Sequence, residues 1–192
     1  RMAIALKQSE KILAQESLAR IDDLTGLPNR RKFLNSIEDY LNGSILLMDL
    51  DGFKPVNDQF GHEIGDQLLK IISTRFQKTI PSDALLARLG GDEFGVVTKS
   101  DEETADELVQ ALLSTLSYPV VIKTVPFQVG ASVGVTHFLA DQESSERLRK
   151  ADQAMYRAKN QAKNQVSNRQ VGDKNAFSHW EKFEEKIFEK EQ

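Results

Sequence analysis

The sequence predicts an α/β (α+β) fold: a mixed, largely antiparallel central sheet with helices packed on its faces. Three observations carry that reading. Segments with apolar residues three and four apart alternate with short β-forming runs such as Ile45 to Met48. Two of those runs, Leu85 to Leu89 and Phe94 to Val97, are separated only by Gly90-Gly91-Asp92-Glu93, which reads as a hairpin. A purely parallel, doubly wound sheet would need a crossover helix at that point, so the hairpin argues against it.

The elements follow in order. Residues 1–21 contain no Gly or Pro and read as a helical linker arm, either solvated or part of a parallel coiled coil with Leu6 and Leu13 on its seam. Asp22 to Asn29 is loop chemistry, with Gly26, Pro28 and Asn29 as breakers. A helix is expected from Arg30, burying Phe33, Leu34, Ile37 and Leu41 and stopping near Asn42-Gly43. Ser44 to Met48 is a buried strand ending in Asp49-Leu50-Asp51, and Phe53 to Asp58 reads as a turn. A second helix runs from His62 to Lys78 with Ile64, Leu68, Ile72 and Phe76 on one face. After the hairpin, Ser100 and Glu103 form a capping box for a helix carrying Ala105, Leu108, Leu112 and Leu116. Val120 to Lys123 and Phe127 to His137 read as a strand pair. In the longer strand Val129, Ala131, Val133 and Val135 share one face, and Gly130, Ser132 and Gly134 share the other. A final core helix spans about Ser144 to Lys163, and residues 171–192 form an amphipathic helical tail with Phe177, Trp180 and Phe188.

Composition narrows the function. A chain of 192 residues, 40% hydrophobic and 28% charged, suits one globular domain with appended helices. Twenty-five basic against 29 acidic residues give a net charge of −4. General nucleic-acid binding, which rests on phosphate neutralisation, is disfavoured, whereas a local basic site for a small anion is not. The absence of cysteine removes disulfides, thiol nucleophiles, thiolate zinc sites and iron–sulfur clusters, and fits a reducing compartment. No apolar run approaches the roughly 18 residues a membrane helix needs, and no signal-peptide pattern is present. A cytoplasmic location is expected. The chain opens in mid-helix pattern, as a piece of a longer protein would, and membrane attachment of that protein stays open.

Four segments carry chemistry. Asp49 and Asp51 fall on one side of an otherwise apolar strand, where uncompensated carboxylates are expensive. Oxygen ligands without His or Cys suggest Mg²⁺ or Mn²⁺ shared with a phosphate; an exposed acidic strand end is the alternative. At the hairpin tip, Gly90 and Gly91 leave room for a ligand beside the backbone, followed by Asp92 and Glu93; an ordinary solvated turn is the alternative. The turn at Phe53-Lys54 offers backbone N–H groups and a cation to a terminal phosphate. Asn57 and Asp66 present an amide and a carboxylate suited to a guanine edge, unless both simply cap helices. Asp152, Tyr156, Lys159 and Lys163 form a stripe on the last helix, which could equally be a solvated basic face.

In order and spacing these segments resemble the GGDEF domain, the diguanylate cyclase family. The motif Arg88-Leu89-Gly90-Gly91-Asp92-Glu93-Phe94 is intact, and Asp23 to Arg30 resembles the family's D-x-L-T-G-L-x-N-R opening. Asp49 to Asp58 with Gly61-His62 and Gly65-Asp66 resembles D-x-D-x-F-K-x-x-N-D…G-H…G-D, and Ala151 to Lys159 resembles A-D-x-A-M-Y-x-A-K. The match spans about Asp22 to Asn164, so residues 22–170 are read as the cyclase domain. The resemblance implies a fold like that of nucleotide cyclases and polymerase palms, condensing two GTP into cyclic di-GMP with release of pyrophosphate. It implies that Asp49, the Leu50 carbonyl and Asp92 hold two Mg²⁺ or Mn²⁺ ions per GTP site. Asp92, with Glu93, would help remove the 3′-OH proton. Phe53, Lys54, Lys159 and Lys163 would hold β- and γ-phosphates, Asn57 and Asp66 would read guanine, and His62 and Gly91 would line the pocket.

One domain binds one GTP, so catalysis implies a homodimer of facing half-sites. An upstream sensor domain is implied too, and a downstream phosphodiesterase domain stays open. Two departures stand out. The family's inhibitory R-x-x-D is absent from Ile80 to Ala84, where no Arg precedes Asp83 by three, and its G-R-N reads Ala162-Lys163-Asn164. The loss of Arg there removes a bidentate fork. A catalytically silent, GTP-binding regulatory module is the alternative function; a purely structural domain leaves the clustered carboxylates unexplained.

Overall fold

A computed structural model describes residues 20–166, with side chains through residue 160. The expected arm at residues 1–21 lies almost wholly outside these residues, as does the tail at 171–192. The described elements are α1 (Arg30–Glu38), β1 (Gly43–Asp51), α2 (Phe53–Phe60), α3 (His62–Thr79), β2 (Leu85–Gly90), β3 (Glu93–Thr98), α4 (Glu102–Leu116), β4 (Val120–Ile122), β5 (Val125–Phe127), β6 (Gly130–Phe138) and α5 (Ser144–Val166). Four strands form one sheet in the order β2-β3-β1-β6, every neighbouring pair antiparallel, and β4-β5 form a separate hairpin. The mixed α+β expectation holds, with the main sheet wholly antiparallel.

The central strand β1 divides the core. Its even positions Leu46, Met48 and Leu50 join α2, α3 and α4 around Leu68, Ile72 and Phe76. Its odd positions Ile45 and Leu47 join α1 and α5 around Phe33, Ile37, Ala151 and Met155. Burial of both faces explains a strand that is apolar at almost every position. The expected division of β6 is present: Val129, Ala131, Val133 and Val135 meet the first cluster, and Gly134 lies under α5. A Cβ at Gly134 would strike the Met155 backbone nitrogen, so the absent side chain is what lets α5 lie close on the sheet.

Four local expectations are corrected. Helix α1 ends at Glu38, and Leu41 is 74% exposed rather than buried. Asp39 N–H donates to Ser36 O at 3.1 Å, and Arg147 Nη1 adds bonds to Ile37 O at 3.3 Å and to Tyr40 O, just past the helix, at 2.9 Å. Phe53 to Asp58 is the helix α2 rather than a turn; Pro55 sits in its first turn, where a missing N–H costs nothing. Asp101, not Ser100, caps α4, accepting from Thr104 N at 3.0 Å. Ser100 O is instead taken by the Ser44 hydroxyl at 2.8 Å. Val120 to Ile122 pairs with Val125 to Phe127, not with β6, through a turn in which Lys123 and Thr124 both have positive φ. No helix among the described residues is long and apolar enough to cross a membrane.

Candidate active site

The site forms where β1 runs out of apolar residues. Asp49 lies opposite Glu93 of β3 and Ser132 of β6, and Asp51 lies opposite Gly130. Directly opposed antiparallel residues share a face, so Asp49, Asp51 and Ser132 all point to the side covered by α5. From that helix Lys159 reaches Asp49, Nζ to Oδ2 at 2.7 Å. The Ser132 hydroxyl donates to both oxygens of Asp51, at 2.9 and 3.1 Å. Asp49 and Ser132 are buried, so each bond replaces hydration that folding removes.

The β2–β3 hairpin brings Asp92 to the same place, and Leu50 N–H donates to Asp92 O at 3.1 Å, tying the tip to the end of β1. Burial first, and then the charge of Asp49, hold the Asp92 carboxyl above the ordinary aspartate range. Burial also works against the Lys159 ammonium. The hydrogen bond and charge of Asp49, with the charges of Asp92 and Asp51, overcome it and hold Lys159 above its ordinary value. The tip is braced by Arg88, whose Nε and Nη2 donate to Gly91 O at 3.0 and 2.8 Å. The same guanidinium grips Asp22 through Nη1, at 2.9 and 3.1 Å. Burial raises the Asp22 pKa, but hydrogen bonds from Thr25 and the Arg88 charge hold it below the usual carboxylate value. Loop 22–29 is thereby latched to the hairpin.

Directly after β1, Gly52 adopts φ 85° and starts α2 with no side-chain cap, so its first-turn N–H groups are available to an anion. The Phe53 side chain is 5% exposed and belongs to the core, so Phe53 can meet a phosphate only through its backbone. Lys54 is exposed at the same end of α2, and His62 and Asp66 are exposed in the first turns of α3. Between the two helices the Asn57 side chain sits against Gly65, where a Cβ would strike its Oδ1. That oxygen is buried with no partner among the described residues. A buried acceptor without a donor is expensive, and Gly65 covers this one.

Asp49, Asp92 and Lys159 therefore come together, and Asn57 neighbours Asp66. Glu93 shares the face of Asp49; burial lowers the Arg30 pKa, and the charges of Glu93 and Asp152 act against that lowering. Exposed Tyr156 of the expected stripe has no place in this cluster, and the Lys163 side chain lies outside the described residues. Sequence reasoning assigned no role to Arg88, Asp22 or Ser132. For Ser132 a signal existed, since it shares a strand face with two glycines.

A divalent cation fits this donor set. Asp49 and Asp92 are hard oxygen donors, and burial, followed by the charge of Asp49, disfavours an unneutralised Asp92 carboxylate. No three acidic or histidine side chains converge into a cage among the described residues. An ion here would complete its shell from backbone and substrate oxygens, as Mg²⁺ commonly does.

Residues 19–165 match the family described as "Diguanylate cyclase, GGDEF domain". The chain is 36% identical over 173 residues to the bifunctional diguanylate cyclase/cyclic di-GMP phosphodiesterase MucR of Pseudomonas aeruginosa, covering 85% of this chain and 25% of that protein. It is 37% identical over 164 residues to the cyclic di-GMP phosphodiesterase PdeR of Escherichia coli, covering 79% and 24% respectively. The chain thus spans about a quarter of the length of these curated relatives. Among solved structures, the GGDEF domain of YfiN (TpbB) from Pseudomonas aeruginosa superposes with a TM-score of 0.68 at 31% identity, over 73% of this chain and 89% of that one.

Proposed function

The chain belongs to the GGDEF domain family, which supports a role in cyclic di-GMP signalling, and from that premise we propose that it is an active diguanylate cyclase. The observation that carries the proposal is the convergence of Asp49, Asp92 and Lys159 at the end of β1, beside the uncapped start of α2.

In this reading Asp49, the Leu50 carbonyl and Asp92 hold two Mg²⁺ or Mn²⁺ ions, which would neutralise the triphosphate and make the attacking 3′-oxygen a better nucleophile. The first-turn N–H groups of α2, Lys54, Lys159 and Lys163 bind β- and γ-phosphates. Asn57 and Asp66 read the guanine edge, the Asp66 carboxylate accepting from N1–H. Adenine, whose N1 is an acceptor, is rejected there because two acceptors would face each other. His62 and Gly91 line the pocket. Asp92 takes the proton from the 3′-OH, with Glu93 assisting. Each 3′-oxygen attacks the α-phosphorus of the other GTP and pyrophosphate leaves, so two domains must face one another. The domain's contribution is positioning and charge neutralisation. Residues 1–21 serve as the arm that pairs the domains, and residues 22–170 as the catalytic unit.

Incubation with GTP and Mg²⁺ tests this directly: cyclic di-GMP should form, with activity per protein rising as concentration drives dimerisation. The silent regulatory module is the second reading, favoured by a relative as similar as PdeR being named for phosphodiesterase activity. GTP binding without product at any protein concentration would establish it. Product inhibition should be weak, because Ile80 to Ala84 lacks the arginine of an R-x-x-D site.

A further inference from the structure

Lys159 is assigned above to phosphate, yet its ammonium lies on Asp49, a residue assigned to the metal. The two assignments cannot be satisfied at once by one ion pair. We propose that Lys159 is an internal stand-in for the metal: it neutralises Asp49 in the resting domain and is displaced onto the nucleotide phosphates when the divalent ion binds. This rests on the reading of Asp49 as a metal ligand.

Three features support the exchange. The first is selectivity. Asp51 lies on the same strand face and accepts from the Ser132 hydroxyl, whereas the ammonium makes its ion pair with Asp49, at 2.7 Å. The second is charge. Asp49, Asp51 and Asp92 carry a formal −3, of which Lys159 offsets one charge and a divalent ion two, so the ion leaves the cluster at −1 with the lysine gone, against −2 with the lysine alone. The displaced ammonium is then available to a triphosphate, whose negative charge a metal only partly offsets. The third is a route. The Lys159 side chain is 35% exposed while that of Asp49 is 10% exposed, so the lysine can swing on its flexible stem while the carboxylate stays fixed in the sheet. The consequence is that metal and nucleotide assist each other: each makes it easier for Lys159 to leave Asp49, a coupling that must be reciprocal.

The test measures Mn²⁺ binding by electron paramagnetic resonance with no nucleotide present, in wild type, Lys159→Met and Lys54→Met. Loss of the competing ammonium should tighten Mn²⁺ binding by Lys159→Met about tenfold, equivalent to about 1.4 kcal/mol. Lys54→Met removes a nearby cation with no bond to Asp49 and should stay within about twofold, since an exposed charge is screened. Lys159→Gln repeats the measurement should the Met variant melt abnormally. Unchanged or weaker Mn²⁺ binding in both Lys159 variants overturns the proposal. An equal gain in Lys54→Met also overturns it, because the effect would then be the general field alone. Adding a non-hydrolysable GTP analogue should tighten Mn²⁺ binding more in wild type than in Lys159→Met. An analogue that fails to bind at all would count against the cyclase reading, while the nucleotide-free comparison would still decide the role of Lys159.

Discussion

Replacing Gly134 with alanine should damage both stability and catalysis, although the residue touches no substrate. A Cβ built there lies 2.5 Å from Met155 Cα and 2.6 Å from the Ala154 carbonyl carbon, where ordinary contact begins at 3.4 Å. The obstacle is helix backbone, which cannot rotate away, so α5 must retreat by about 1 Å, the shortfall in those contacts. Overpacking of this kind costs roughly 1–3 kcal/mol, and a backbone obstacle places Gly134→Ala near the upper end, about 3 kcal/mol. For a domain of this size that is a fall in Tm of about 6–12 °C. Lys159 is one helical turn beyond Met155, so the retreat also moves the ammonium relative to Asp49. A misplacement of about 1 Å can cost up to about 100-fold in rate. Thermal melting followed by circular dichroism, with initial rates of cyclic di-GMP formation, measures both. A variant that melts within 2 °C of wild type (a threshold of roughly 0.5–1 kcal/mol) would refute the claim that this glycine sets the distance between helix and sheet.

Asp92→Asn should abolish turnover yet raise the Tm of the metal-free domain. The folded-state pKa of Asp92 is raised, so its ionisation destabilises the fold as pH rises, and the advantage of Asn should fade when melts are repeated below the ordinary carboxylate range. Arg88→Ala breaks the pair with Asp22 and both bonds to Gly91 O, and should cost about 3 kcal/mol in urea unfolding at pH 7. Because the Asp22 pKa is lowered, that contribution is present above the ordinary carboxylate pKa and is lost on acidification, so the gap between Arg88→Ala and wild type should narrow at low pH. Gly65→Ala would displace the Asn57 amide and should weaken GTP binding about tenfold by calorimetry, the worth of roughly one hydrogen bond.

Much of this architecture is legible from local signals. The unbroken apolar run of β1, the two-glycine tip and the two-residue period of the valine and glycine faces of β6 are each signals that act over a few positions. What resisted reading depends on distant partners or unusual turns. The end of α1 could not be placed from its own residues alone, because the guanidinium that holds Ile37 O and the following Tyr40 O belongs to Arg147, 110 and 107 residues away. The β4–β5 hairpin turns on Lys123 and Thr124 at positive φ, where Gly or Asn is the usual signal, and Pro126 argued against a strand. Helix α2 was obscured by Pro55 and by glycines at both ends. The candidate site follows the same division: Asp49 and Asp92 stand out as carboxylates at the ends of apolar strands, whereas Arg88 and Asp22 meet only through folding, 66 residues apart.

Helix α5 joins the apolar core to the acidic end of β1. Near its start Arg147 is buried, stacks over the Phe138 ring at 4.4 Å and donates to Ile37 O, Tyr40 O and Leu139 O, fastening the helix to one end of the sheet. Twelve residues later, about 18 Å along the axis, Lys159 reaches the opposite end of β1. Between them Ala151 and Met155 cover Ile45 and Leu47 on the same strand face that continues into Asp49 and Asp51. One helix thus closes the apolar part of that face and supplies the cation for its acidic part. The two duties differ in reversibility. The Arg147 contacts are buried and directed at fixed carbonyls, whereas the Lys159 contact joins two titratable side chains at a partly open edge. Exchange of the Lys159 contact can therefore occur without disturbing the packing that holds the helix in place.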